Sequence, residues 1–241
     1  MYVNSHFKVH PATSLAFASA RGFGMVVATD GGRPVAAHLP FRLIEADGKV
    51  PKLEFHVARA NPLAAIAEKG GDWLVAVWGH DAYVSPDWYA SAEQVPTWLY
   101  QAVHLSGPVR VIPGDHTRGH TERLSAKFEQ WLAPKPEWKL DKVADKRREM
   151  LLTAIVAVEM TIETIEGNFK LNQHKSDADH VAVAGALARQ DDPSAREIAK
   201  RMVALRPHLD YMSLVPVGAF SGEVWSGSPQ KNATNASELA G

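Results

Sequence analysis

The chain has 241 residues, a typical apolar share and a formal net charge of −1 at pH 7. This near-neutral charge gives no support for a protein that binds nucleic acid or an anionic membrane non-specifically. Sequence-specific DNA binding through a small surface patch is not excluded by it. Because the chain has no cysteine, no leader-like segment and no run near the roughly 20 apolar residues that span a bilayer, we expect no disulfide, no thiol chemistry and no membrane span, and a cytoplasmic location.

The first third of the chain predicts one helix and then strands joined by tight turns. The helix covers residues 11–20, and strands follow at residues 25–29, 34–44 and 53–57, with turn signals at residues 30–32 and 46–48. No helix separates these strands, so they favour an antiparallel meander over a parallel sheet.

The middle and the end of the chain alternate between strand and helix patterns. We predict strands at residues 73–78, 100–105, 109–112 and 156–162, an aromatic loop at 81–89, helices at 124–132, 141–151, 176–189 and 193–205, and a polar turn at 166–175. The aromatic loop either covers the edge of a core or stacks on a flat ligand. The strands are numerous enough to close into a barrel, and an aperiodic tail follows from residue 211.

The junction between the strand at residues 53–57 and the next helix is a candidate anion site. Asn61 is a strong N-cap residue and Pro62 suits the first helical position. Arg59 lies just before them, so a phosphate could be held by its guanidinium and the positive end of the helix. The alternative is an ordinary capped helix with a solvated arginine.

Other familiar sites receive little support from the sequence. The chain has neither a complete dinucleotide fingerprint nor a phosphate-binding P-loop nor a nucleophile elbow. His116 and His120 are four residues apart but lack a third ligand, so we assign no metal site. The two helices at residues 176–205 resemble a helix-turn-helix, but their acidic linker at 190–193 favours a packing unit over a DNA reader.

Five short blocks, in order, resemble one known family. The chain is similar to the PaiB-type FMN-binding negative transcriptional regulators, which belong to the FMN-binding split-barrel group. The matching blocks are His38-Leu39-Pro40-Phe41, residues 56–62, residues 83–89, residues 95–98 with Val103-His104, and residues 166–173. The blocks are short, but they are spread from residue 38 to residue 173, which is most of the predicted folded part.

The resemblance implies a mainly β, α+β fold. We expect an antiparallel six-stranded split β-barrel with peripheral helices and a C-terminal helical segment. It further implies a homodimer with FMN at the subunit interface. The barrel domain would cover residues 1–167, the helical segment packed on it 168–210, and an extended or flexible tail 211–241.

The same resemblance gives roles to individual residues. His38, Leu39, Pro40 and Phe41 would line the isoalloxazine ring system, and His56 would touch the flavin or its ribityl chain. Arg59 with Asn61 would take the phosphate. Trp98 and Lys170 would approach the cofactor from the partner subunit or the C-terminal segment. From the residues alone, the favoured interpretation of His38 is a core histidine bonded to a backbone carbonyl, and the alternative for His56 is a solvated position on the polar face of its strand.

Two functions remain open at this point. The preferred one is a negative regulator of transcription in which FMN is structural or senses a small molecule or redox state. The alternative is a split-barrel oxidoreductase that uses FMN for hydride or electron transfer. No catalytic residue is assigned, and neither an enzymatic activity nor direct DNA binding follows from the sequence.

Overall fold

The computed structural model of the protein describes residues 1–45 and 49–211. The predicted turn at residues 46–48 and the predicted tail from residue 212 onward lie outside the described residues. The helices are α1 (Pro11–Arg21), α2 (Pro62–Lys69), α3 (Thr117–Glu129), α4 (Asp145–Thr153), α5 (Asp177–Ala188) and α6 (Pro193–Leu205). The strands are β1 (Phe23–Asp30), β2 (Arg33–Ile44), β3 (Lys52–Ala58), β4 (Asp72–Val84), β5 (Thr97–Val111), β6 (Ile155–Thr161) and β7 (Thr164–Lys170).

The strands form one antiparallel sheet that closes on itself. Their order is β4-β1-β2-β3-β6-β5-β7, and an additional pairing between β4 and β5 joins six of them into a ring. Strand β7 pairs with β5 outside that ring. The predicted antiparallel six-stranded barrel with peripheral helices is therefore confirmed.

Local sequence explains the first hairpin and the barrel core. Gly31 and Gly32 have φ angles of 54° and 83°, the left-handed backbone that a two-residue hairpin turn requires. In β3, Leu53, Phe55 and Val57 alternate with polar residues, and all three are buried in the interior.

Strand β2 changes its partner halfway along its length. Its first part pairs with β1, up to the pair Phe23 and Pro40. Its last part pairs with β3, beginning at Phe41 and Phe55. Strand β3 continues past Phe55 along β6, to the pair Ala58 and Ile155. The last residues of β3, which precede the β3–α2 junction, are therefore paired with β6 and not with β2.

Three predicted elements are wrong. Residues 81–84 of the predicted loop at 81–89 belong to β4, and residues 166–170 of the predicted polar turn at 166–175 belong to the edge strand β7. Residues 97–111 form the single strand β5 where two strands were predicted. At Gly107 the backbone of β5 approaches the carbonyl oxygen of Thr161 so closely that a Cβ would lie 1.9 Å from it. Only glycine permits this approach, and the strand therefore continues through position 107.

The chain divides into two compact units. Unit 1 comprises residues 1–79 and 101–169, and unit 2 comprises residues 80–100 and the chain from residue 170 onward. The predicted domain boundaries at residues 167 and 210 stay predictions. Within the described ranges, no helix combines the length and the apolar character needed to cross a membrane.

Within unit 2, helices α5 and α6 pack through fully buried side chains, which include Val183, Leu187 and Ile198. The basic residues of α6 bond within the pair: Arg196 donates to the carbonyl of Gln190, and Lys200 and Arg201 lie within ion-pair distance of Glu197. This arrangement is typical of a packing unit.

Candidate functional site

The turn between β3 and α2 uses most of its own backbone donors. The side chain of Asn61 accepts the N–H of Leu63 at 2.9 Å, and its carbonyl accepts the N–H of Ala64 at 2.9 Å. Asn61 also donates its own N–H to the carbonyl of Ala58. Asn61 is therefore the N-cap that the sequence predicts, and the donors it satisfies are not free for an anion.

Arg59 precedes this turn, and its side chain is held by carbonyls at the end of α4 and the start of β6. Its Nε donates to the carbonyl of Thr153 at 2.8 Å, and its Nη2 donates to the carbonyl of Ile155 at 3.1 Å. No carboxylate pairs with Arg59 among the described residues. The exposed guanidinium is thus held in one orientation while its positive charge is not neutralised, and such a group is suited to bind an oxyanion.

His56, on the polar face of β3, is half-buried and contacts helix α3. Its Nδ1 lies 3.1 Å from Nε2 of His120 on α3, and Nδ1 of His120 lies 3.6 Å from Oε2 of Glu54. Burial, followed by the neighbouring His120, lowers the pKa of His56 to about 4. His56 is therefore neutral at physiological pH.

Glu54 carries the negative charge of this cluster. Its Oε2 lies 3.0 Å from Nη2 of Arg42 and 3.6 Å from Nη2 of Arg123. His120, followed by Arg42 and Arg123, lowers the pKa of Glu54 to about 2, against burial, which raises it. The carboxylate is ionised and compensated, as a buried charge requires.

A second buried carboxylate lies directly beside Glu54 in the sheet. Glu54 pairs with Glu159 across β3 and β6. Glu159 accepts bonds from Lys52 at 2.9 Å and from Arg110 at 2.8 Å. Each of the two neighbouring carboxylates therefore has its own cations. On the same face of the sheet, α3 contacts His56 through His120.

His38 lies in an exposed group of rings on β1, β2 and β4. Its ring stacks at 6.3 Å from Phe23 and meets Trp78 edge-on at 5.8 Å. Phe23 and Trp78 are 44% and 41% exposed. We call Phe23, His38 and Trp78 the aromatic face. It presents partly exposed aromatic surface in unit 1.

The residues that follow His38 along β2 are increasingly buried. Leu39 and Pro40 are half-buried, whereas Phe41 has no exposed surface. The N–H of Phe41 bonds the carbonyl of Gly22, and its carbonyl accepts Nζ of Lys127. Phe41 therefore anchors the strand, and Leu39 and Pro40 have surface left to contact a ligand.

Trp98 and Lys170 belong to unit 2. Trp98 is 54% exposed and lies edge-on to Tyr83 at 6.1 Å. Nζ of Lys170 donates to Oγ1 of Thr97 at 2.5 Å. Their predicted approach to a cofactor stays a prediction.

The residues that surround His56 were not predicted from the sequence. His120 was paired with His116, but His120 has no exposed surface and contacts His56, whereas His116 is exposed. A signal was present: His120 lies four residues before Leu124 and eight before Phe128, on the face of α3 that the apolar pattern predicts to be buried. Among the described residues, no cluster of three potential metal ligands is found.

A family model and the curated relatives indicate the same family for this chain. A family model described as "Putative FMN-binding domain" matches residues 1–164. The Bacillus subtilis protein "Protease synthase and sporulation protein PAI 2" is 34% identical over 203 residues, which is 84% of this chain and 96% of that protein. The uncharacterized protein YKL070W of Saccharomyces cerevisiae is 37% identical over 84 residues, 33% of this chain and 50% of that protein.

A solved structure also resembles the fold. The conserved hypothetical protein Rv2991 from Mycobacterium tuberculosis aligns with a TM-score of 0.50 at 10% identity, over 70% of this chain and 90% of that chain. At this identity the likeness concerns the fold alone.

Proposed function

This chain belongs to the PaiB-type family of FMN-binding domains, and from that membership we propose that it is an FMN-binding negative regulator of transcription. We further propose that it acts as a homodimer with FMN at the subunit interface. One observation carries the FMN part: Arg59 is an exposed cation, held in place by two carbonyls, with no carboxylate partner among the described residues.

The residues of unit 1 fit the three chemical parts of FMN. Arg59 offers a guanidinium to the phosphate. His56 is a neutral, half-buried polar group suited to the ribityl chain. The aromatic face with Leu39 and Pro40 offers apolar surface to the three-ring system.

Each of these residues would have a distinct role in holding the cofactor. Arg59 would orient the phosphate without having to be ordered on binding, because the end of α4 already fixes its side chain. Asn61 would keep α2 in place beside the phosphate, and Phe41 would support the strand that carries His38. Bound FMN supplies a ring system that can accept or donate electrons.

The homodimer is supported by the aromatic face. Aromatic rings are enriched in protein interfaces, and Phe23 and Trp78 are 44% and 41% exposed. A second copy of unit 1 would cover both the rings and the cofactor.

Three measurements on one preparation test the proposal. FMN titration should show saturable binding, and a pool of genomic promoter fragments should retain a defined subset on the protein at near-physiological salt. NAD(P)H oxidation with FMN present should stay at the background of free flavin. Turnover without DNA retention would contradict the regulator and support the alternative, an FMN-dependent oxidoreductase. Failure of the titration would contradict FMN binding itself.

A further inference from the structure

Lys127, on α3, is a half-buried amine that no acidic group accompanies. Its Nζ donates to the carbonyl of Ser19 at 2.9 Å and to the carbonyl of Phe41 at 3.2 Å. No carboxylate lies within ion-pair distance of it in the part of the chain that the structure describes. A lysine is costly to bury unless other groups compensate its charge, so its two backbone partners need an explanation.

The end of α1 and two rings provide this compensation. Ser19 lies in the last turn of α1, where the helix dipole is negative and the carbonyls lack N–H partners within the helix. Nζ also lies 5.6 Å from the ring centre of Phe41 and 5.5 Å from that of Phe128. Burial, followed by the charge of Arg42, lowers the pKa of Lys127 to about 8. The amine has N–H donors in both ionisation states, so its two bonds do not depend on that value.

Gly22 leaves open the space that Lys127 occupies. Its φ is 58°, and a Cβ there would lie 2.9 Å from Nζ of Lys127 and 3.0 Å from the ring of Phe128. The left-handed backbone and the close approach of α3 both favour glycine at this position. The carbonyl of Gly22 in turn accepts the N–H of Phe41 at 2.8 Å. We call Ser19, Gly22, Phe41 and Lys127 the Lys127 cluster.

The Lys127 cluster holds the strand ends that carry two residues of the aromatic face. Phe23 begins β1 directly after the cluster and pairs with Pro40 of β2. His38 lies three residues before Phe41. Phe41 is also the point where β2 leaves its pairing with β1 and begins to pair with β3. A bond from α3 at this point therefore fixes the path of β2 where its sheet partner changes.

We infer that Lys127 is a positioning residue, which holds Phe23 and His38 of the aromatic face in the arrangement that receives the flavin rings. This inference rests on the proposed FMN binding for the identity of the ligand. About two turns earlier on the same helix, His120 contacts His56. Helix α3 thus supports both β2 and β3, the two strands whose residues would contact the cofactor. A support that is already ordered lowers the entropic cost of binding.

The bonds of Nζ are measurable without FMN. Nitrogen-15 NMR of the full chain in cold, mildly acidic buffer should show slow solvent exchange of the Nζ protons of Lys127, because two carbonyls hold them. Lys69, with 71% of its side chain exposed, should show fast exchange. Fast exchange at Lys127 in the unsubstituted protein would overturn the inference, whatever the variants do.

Lys127→Met tests the positioning of the rings, also without FMN. It removes the donors and keeps the length of the side chain. The ring resonances of His38, which Phe23 and Trp78 shift, should move toward those of an exposed histidine. Lys52→Met is the matched control, because Lys52 is half-buried on β3 and is paired with a carboxylate. Unmoved His38 resonances in folded Lys127→Met would contradict the inference.

Addition of FMN tests the ligand. Lys127→Met should raise the Kd for FMN about three- to tenfold, whereas Lys52→Met should not. In a double variant with His38→Ala the loss should be smaller than the sum of the two single losses, because Lys127 acts through the aromatic face. With Arg59→Ala the losses should add. Additive losses with His38→Ala would contradict the positioning role, since a merely structural effect is independent of His38.

Failure of this inference and failure of the proposed function give different results. Tight FMN binding that is unchanged in Lys127→Met would overturn the inference and leave the proposed function standing. Absence of FMN binding in the unsubstituted protein would overturn the proposed function, and the FMN-free spectra would still decide whether Lys127 orders the aromatic face.

Discussion

Nδ1 of His56 and Nε2 of His120 are 3.1 Å apart, although 64 positions separate the two residues in the chain. The contact joins the polar face of β3 to the buried face of α3. A strand face that has the sequence pattern of a solvated surface is therefore covered, and its titratable groups influence both stability and the candidate site.

The stability of the protein should fall in two successive pH windows as the pH is lowered. The pKa of His56 is about 4 against an ordinary value of 6.5, and the pKa of Glu54 is about 2 against 4.5. In both cases the unfolded chain binds the proton first, so the stabilisation is present above the ordinary value and is lost as the pH falls to the folded value. The shifted pKa of His56 lowers the free energy of unfolding as the pH falls from 6.5 to 4, and that of Glu54 lowers it as the pH falls from 4.5 to 2.

Two variants separate these windows. His56→Gln should flatten the pH dependence of the free energy of unfolding between pH 6.5 and 4, whereas Glu54→Gln should flatten it between 4.5 and 2. Urea unfolding at a series of pH values measures both, and each variant is the control for the other. Slopes equal to that of the unsubstituted protein in both windows would show that neither group is perturbed.

Arg59→Ala should weaken FMN binding by about 1.5–3 kcal/mol, because a charge-assisted contact to the phosphate is lost. Arg59→Lys should be intermediate, since it keeps the charge but not the planar fork. Calorimetric titration at fixed ionic strength gives the affinities.

The control for Arg59 is Lys69→Ala. Lys69 is an exposed cation at the other end of α2, with 71% of its side chain accessible. Its removal changes the net charge equally, so an equal loss of FMN affinity in both variants would point to a general charge effect and against a phosphate contact at Arg59.

Trp78→Glu should convert the proposed homodimer into monomers, because it places a charge in the aromatic face beside His38. Sedimentation velocity over a concentration series measures the change. Trp131→Glu is the matched control, because Trp131 is a 56% exposed tryptophan whose ring lies edge-on to Phe128 of α3. A dimer that survives Trp78→Glu would place the interface elsewhere.

Gly107→Ala should destabilise the barrel by about 1–3 kcal/mol, because the new Cβ would overlap the carbonyl oxygen of Thr161 and force β5 away from its neighbour. Gly114→Ala adds the same methyl group in open space and should change the free energy of unfolding by less than about 0.5 kcal/mol. Denaturant midpoints compare the two. Equal midpoints would refute the close approach at Gly107.

Local patterns were sufficient for much of the fold. The alternation in β3, the glycine pair at Gly31 and Gly32 and the cap at Asn61 each lie within a few residues, and each predicted its element correctly. They succeeded because side-chain periodicity and special backbone angles are properties of a short segment. The edge strand β7 was missed because its polar sequence resembles a turn, and only its pairing with β5 makes it a strand.

By itself the sequence determined the antiparallel order of the first strands, the capped helix after β3, the position of Arg59 beside it and, through five short blocks, the family. Only the tertiary structure decided that six strands close into a ring, that α3 brings His120 onto His56, and that Phe23 and Trp78 flank His38. The physical reason is that these contacts join residues far apart in the sequence. A buried polar residue and a solvated one have the same local pattern, and the partner that distinguishes them lies far along the chain.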